Sequence, residues 1–334
     1  MAKRASLDDK LAAVRLLRDQ PTSPELVAAL RKAIAGRSNF LVAAAAEIAG
    51  DKRIVELAAD LEAAYERFLV DPPTTDKLCR AKIAIVRALD KMEHDRLETF
   101  QSAARHEQLE PVWGGEEDAA VPLRASALLA LARLDAPGLL TLLVDALNDP
   151  IHRVSKDDSE RQVRVAAAQA LGYEGSEAAA LLLRLKARVG DRDPDVISEC
   201  LHGLLTISPR TNLEFVATFL DPHSEALCEA AVMALGRSRL PEALDPLEAC
   251  WRRTYSQSLQ EAILLAVAML RAPQAIDRLL ELVASENASH ARMALSALKI
   301  HRHDAKLTDR IAGVVARGDR ALQVQFKRDF RSDD

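Results

Sequence analysis

The chain has 334 residues, longer than a single compact core usually grows, which points to two domains or to an elongated repeat structure. Hydrophobic residues make up 49% but aromatics only 4%, a composition suited to helices packed through Ala and aliphatic side chains and not to strands. A formal net charge of −5 gives no general attraction for nucleic acid.

From the N-terminus, Ser6 with Asp9 three positions on forms a capping box opening a helix with Leu7, Leu11, Val14 and Leu17. Residues 1–22 are read as an N-terminal cap. The first 14 residues lack the apolar core of a secretion signal, and no window reaches the roughly 18 uninterrupted apolar residues of a spanning helix. No membrane role and a cytoplasmic location are therefore expected.

Beyond the cap the sequence repeats. In residues 160–172, Val163, Ala166, Ala167, Ala170 and Leu171 fall on one buried helix face, and Gly172 is expected as its left-handed C-terminal cap. The same template ends at Ala49, Leu89, Leu131, Leu171, Leu204, Leu235, Val267 and Leu298, about 40 residues apart at first and about 32 later. A second amphipathic helix precedes each match, so a unit is helix A, turn, helix B. Residues 23–178 hold the longer repeats, 179–305 the short regular ones, and 306–330 a C-terminal cap. The expected fold is all-α, a single right-handed α-α superhelix over residues 1–334. It comprises about nine helix pairs plus the capping helix, roughly 19 helices and no sheet.

The surplus length of the early repeats lies in three turns, 70–77, 107–122 and 149–160. Equivalent turns share one edge of a solenoid, so these three build a continuous rim that contributes little to the core. The middle turn carries Trp113 with Glu116, Glu117 and Asp118, and the next His152, Arg153 and Lys156. Carrying the exposed helix-B offset along the chain aligns Gln169 with Arg87 and His202. These ten residues form the expected partner-binding surface. Polar and apolar members mix, which suits a protein or peptide better than a phosphate backbone.

The run D-P followed by V-R-x-x-A-A-x-A-L-G resembles the HEAT repeat in its short bacterial form, named after phycobilin lyase subunits. The best copies are residues 163–172 and 227–236, and the resemblance runs from about Pro24 to Phe330. It implies that helices B line a concave face. The motif cation is present as Lys82, Arg124 and Arg164 but replaced by Ile197, Cys228, Gln260 and Ala291, so any Asp/Arg ladder is interrupted.

Chemistry is sparse. Deoxyhypusine hydroxylases need several His-Glu pairs for iron, and only His106-Glu107 occurs here. HEAT-like DNA glycosylases need a basic cleft with Trp and Asp, whereas the chain is acidic and Trp113 and Trp251 are its only tryptophans. His301, His303 and Asp304 sit at a helix end and read as a cap. Cys79, Cys200, Cys228 and Cys250 are scattered and read as buried thiols, without disulfide or zinc spacing. The expected function is a non-catalytic scaffold or adaptor for a protein or peptide, without cofactor or metal. A lyase- or chaperone-like subunit acting on a cofactor-bearing protein is the alternative.

Overall fold

A computed structural model describes residues 6–113, 115–148 and 159–330, and the chain is 76% helical. It divides into two compact units, residues 1–174 and 175–334. The first contains α1 (Leu7–Arg15), α2 (Pro24–Ile34), α3 (Asn39–Asp51), α4 (Ala58–Phe68), the single-turn α5 (Pro72–Thr75), α6 (Arg80–Lys91) and α7 (Leu97–Ala104). A hairpin of β1 (Leu109–Val112) and β2 (Gly115–Asp118) follows, then α8 (Val121–Arg133), α9 (Leu139–Leu147) and α10 (Ser159–Glu174). The second unit contains α11 (Glu177–Val189), α12 (Pro194–Ile207), α13 (Pro209–Ala217), α14 (Glu225–Ser238), α15 (Leu244–Arg253) and α16 (Gln257–Leu270). It continues through α17 (Pro273–Val283), α18 (Ala288–Leu298), α19 (Ala305–Val315) and α20 (Arg320–Phe330).

The helices pair as the periodicity predicts, and the second helix of each pair stacks on the second helix of the next. In the first unit α3 packs on α6, α6 on α8 and α8 on α10; in the second α12 packs on α14, α14 on α16, α16 on α18 and α18 on α20. Ala167 and Ala170 are fully buried, with Val163, Ala166 and Leu171 beside them, so the helix register read from the sequence is correct.

Small residues are required where these helices meet. A Cβ built on Gly50 would lie 2.7 Å from the Cα of Ala88, and one on Gly236 the same distance from the Cα of Ala266. Gly172 occupies the same place in the motif, and this corrects its expected role: α10 runs through it to Glu174, and the positive φ of 78° belongs to Gly175. The cap lies three residues beyond the motif glycine.

The termini are capped by short polar side chains. Ser6 and Asp9 form the capping box, Ser23 accepts from the Leu26 N–H, Ser176 from Ala179 and Asp304 from Leu307. Asp319 accepts from the Leu322 N–H at 2.7 Å and opens α20, the expected closing element. His301 donates through Nε2 to the Ala268 carbonyl, 2.9 Å away, which ties the end of α18 to α16. All four cysteines are buried, and the sulfurs of Cys228 and Cys250 lie 3.5 Å apart.

The expectation of no sheet is corrected by the β1–β2 hairpin, whose antiparallel register pairs Leu109 with Asp118 and Val112 with Gly115. Val121 and Pro122, read as turn residues, belong to α8, where Pro122 sits in the first turn and sacrifices no helical hydrogen bond.

Candidate functional site

In the first unit the two described long turns are built around a buried carboxylate. Asp76 is fully buried and accepts from the N–H groups of Ala81 at 2.8 Å and Lys82 at 3.0 Å, capping α6 from outside the helix. The ammonium of Lys82, also fully buried, lies 3.2 Å from Asp76 Oδ2 and donates to the Phe68 carbonyl. Asn39 of α3 donates to Asp76 Oδ1, so α3 and α6 converge on one carboxylate.

The hairpin locks onto the same point. Gln108 donates to the Asp76 carbonyl at 2.8 Å and to Glu110 Oε1 at 2.6 Å, and Glu110 accepts from the Leu78 N–H at 2.6 Å. These bonds hold Leu78 and Cys79 in the left-handed region, with φ of 61° and 53°. Such a conformation costs an L-residue about 1–2 kcal/mol, and it leaves the Leu78 side chain 54% exposed. Burial pushes the Cys79 thiol up to about 12, which makes it inert.

The next repeat uses the same device. Asp118 pairs with Arg124 and accepts from the N–H groups of Gln108 and Ala120, both at 2.9 Å. Burial alone would raise its carboxyl, but Arg124 and the two backbone donors outweigh that and hold it below the ordinary range. Arg124 also donates to the His106 carbonyl. In the second unit Ile197 replaces the motif cation, yet Asp191 keeps a partner because Lys186 of α11 reaches it at 2.9 Å. The ladder is interrupted in its cation and repaired from the neighbouring helix.

This network corrects two expectations. Asp118 is not an exposed member of an acidic run, since its side chain turns inward to Arg124. Nor can the long turns be shortened without cost, because Gln108, Glu110 and Asp118 close the polar contacts of the helices below. What does project is the hairpin tip: Trp113 is fully exposed, and Glu116 and Glu117 lie exposed on β2. His152, Arg153 and Lys156 lie outside the described residues.

The free face of α3, α6 and α8 forms the floor of a groove. A cavity of about 680 Å³ at the hairpin base has an apolar side of Leu78, Ile83, Pro111, Val112, Val121 and Pro122 and a polar side of Lys77, Glu110, Glu117, Asp118, Arg161 and Gln162. It shares Leu78 and Ile83 with a second cavity of about 470 Å³, lined by Arg18, Glu47, Asp51, Arg80, Arg87 and Lys91. A third, of about 320 Å³, continues past Arg15 and Phe40 to α1. Arg87 therefore lies in the groove, donating to Ser126 at 3.1 Å. Gln169 is half-buried on α10, and His202 belongs to α12 of the second unit, where burial and then Arg237 lower its pKa. Sequence reasoning missed Leu78, Arg15 and Arg80. The helical spacing of Arg80 from Arg87 was the available signal, whereas nothing in the sequence shows that Leu78 is held outward.

Residues 182–266 match the family model for HEAT repeats. That segment is a HEAT-repeat segment. No curated protein matches the chain. Among solved structures, human deoxyhypusine hydroxylase in complex with glycerol is 18% identical, covering 80% of this chain and 91% of its own, with a TM-score of 0.30. The complex of CpcE and CpcF of phycocyanin lyase from Nostoc sp. PCC7120 is 18% identical, covering 89% and 95%, with a TM-score of 0.37. An engineered protein is 15% identical, covering 99% and 97%, with a TM-score of 0.35. Likenesses this distant carry no argument about what the HEAT repeats do here.

Proposed function

We propose that this HEAT-repeat protein is a non-catalytic adaptor that binds a protein or peptide partner in the groove of its first unit, with the hairpin tip as one wall. The observation that carries this reading is the rim itself. A buried polar network fixes a strained, exposed Leu78 on the apolar side of a cavity, and a fully exposed Trp113 stands at the hairpin tip. Exposed Trp and Leu on a rigid frame lose little entropy when a partner covers them, and aromatic residues commonly dominate interface energy. The mixed lining of the groove fits a polypeptide surface.

Affinity capture from cell extract, comparing the intact chain with Trp113→Ala and with Val112→Ser, tests the reading. Both substitutions fall on exposed side chains and leave the buried network untouched. A partner retained by the intact chain and lost from both variants is expected, and identical captured sets would remove the hairpin from the site.

A further inference from the structure

The groove is not uniformly polar. At the end nearer α1 its walls carry Arg15, Arg18, Arg80, Arg87 and Lys91, all exposed, against only Glu47 and Asp51. The two carboxylates are already engaged: Arg18 lies 3.3 Å from Glu47, and Lys91 lies 2.7 Å from Asp51. Arg15, Arg80 and Arg87 make no ion pair among the described residues. Arg80 stacks over the Phe40 ring at 4.8 Å, and Arg87 is steadied by Ser126, so these two guanidiniums are oriented but electrostatically unsatisfied.

Arg80 and Arg87 lie two turns apart on α6, with Ile83 between them on the same face. Ile83 and Leu78 then open directly into the apolar side of the cavity at the hairpin base, where Val112, Val121 and Pro122 face them and Glu110 and Asp118 are turned into the buried network. Cationic and apolar compartments are thus contiguous and share two side chains.

We propose that the groove recognises an acidic peptide segment carrying one apolar anchor, its carboxylates on Arg15, Arg80 and Arg87 and its anchor against Leu78, Ile83 and Val112. This rests on the binding function above and names the chemistry of the partner. Guanidinium groups match carboxylates through paired N–H donors, and an arginine already stacked on a ring loses less freedom on binding. A nucleic acid would also present negative charge, but its phosphates would have to pass Glu47, Asp51 and the exposed Glu116 and Glu117. A peptide can place carboxylates only where the arginines stand.

The test uses the full chain and fluorescence anisotropy with a fluorescein-labelled peptide of glutamates around one leucine. Its lysine counterpart, a version with serine for leucine, and a single-stranded oligothymidine serve as comparisons. The glutamate peptide is expected to bind with salt-sensitive affinity and the lysine peptide not to bind. Replacing the leucine by serine should weaken binding several-fold, and Arg80→Glu with Arg87→Glu by about tenfold or more. Both substitutions are on exposed side chains, and an unchanged melting temperature verifies the fold. Equal binding of glutamate and lysine peptides, no binding of either, or tighter binding of the oligothymidine would overturn the inference. If the glutamate peptide fails while Trp113→Ala still abolishes partner capture, the acidic-segment inference falls and the binding function stands. If Trp113→Ala also leaves capture unchanged, the acidic-segment inference falls and the hairpin leaves the site with it.

Discussion

The two units start their second helices in different ways. In the second unit the connections 190–193 and 284–287 are tight, and the short polar side chains of Asp193 and Asn287 cap the helices that follow, the first with the Asp191–Lys186 pair beside it. In the first unit 69–79 and 105–120 are long, and the same task falls to buried Asp76 and half-buried Asp118 with their cations. A short cap only ends a helix. A buried ion pair inside a long turn also fixes everything the turn displays, here Leu78 and the hairpin. Length alone would have made these turns loose, but the carboxylates make them a frame.

The largest effect should come from dismantling that frame. Asp76→Ala strands the fully buried Lys82 and two N–H groups, so urea unfolding of the first unit should show a loss of about 3–5 kcal/mol. Ser176→Ala, which removes a simple cap in the second unit, should cost about 1 kcal/mol. Equal losses would mean that the turn network is no more than a cap.

The helix seam, by contrast, is built alike in both units and should respond alike. Gly50→Ala and Gly236→Ala each drive a methyl against a facing backbone and should destabilise by about 1–3 kcal/mol. Gly313, exposed on α19 with nothing near its Cβ position, should instead gain about 0.5–1 kcal/mol on change to Ala. Thermal melting separates the two signs.

Acid should weaken the first unit through Asp118. Its folded carboxyl titrates below the ordinary aspartate range, so its stabilisation is fully present above that range and is lost as pH falls through the folded value. Asp118→Asn should flatten the unfolding profile of the first unit in this range. A profile unchanged by the substitution would show that the Arg124 pair contributes nothing.

The smallest effect on stability belongs to Leu78→Gly, which relieves a positive φ and removes a half-exposed side chain. Stability should stay level or rise by up to about 1 kcal/mol, while partner affinity falls. A melting loss without an affinity change would make Leu78 a packing residue.

Much of this was legible beforehand, for identifiable reasons. Helix register came from the Ala-rich face around Ala167, because burial between close-packed helices leaves a strict period. Gly172 was misread because glycine serves both caps and close approach, and only the facing backbone tells them apart. The hairpin was invisible because strands of four residues with a proline give no alternation to read. Asp118 looked exposed beside Glu116 and Glu117, since a turn back toward Arg124 cannot be seen in a run of acids. Arg87 emerged from the repeat offset, while Arg80 sits two turns before it on α6, outside that stripe.

The claim that the long-turn edge of the first unit is a preformed binding surface is tested most directly by amide hydrogen exchange, with and without the captured partner. The hairpin and residues 76–88 should exchange slowly even in the free protein, and slow further in the complex. Fast exchange of the hairpin in the free protein, or protection confined to residues 175–330, would contradict it.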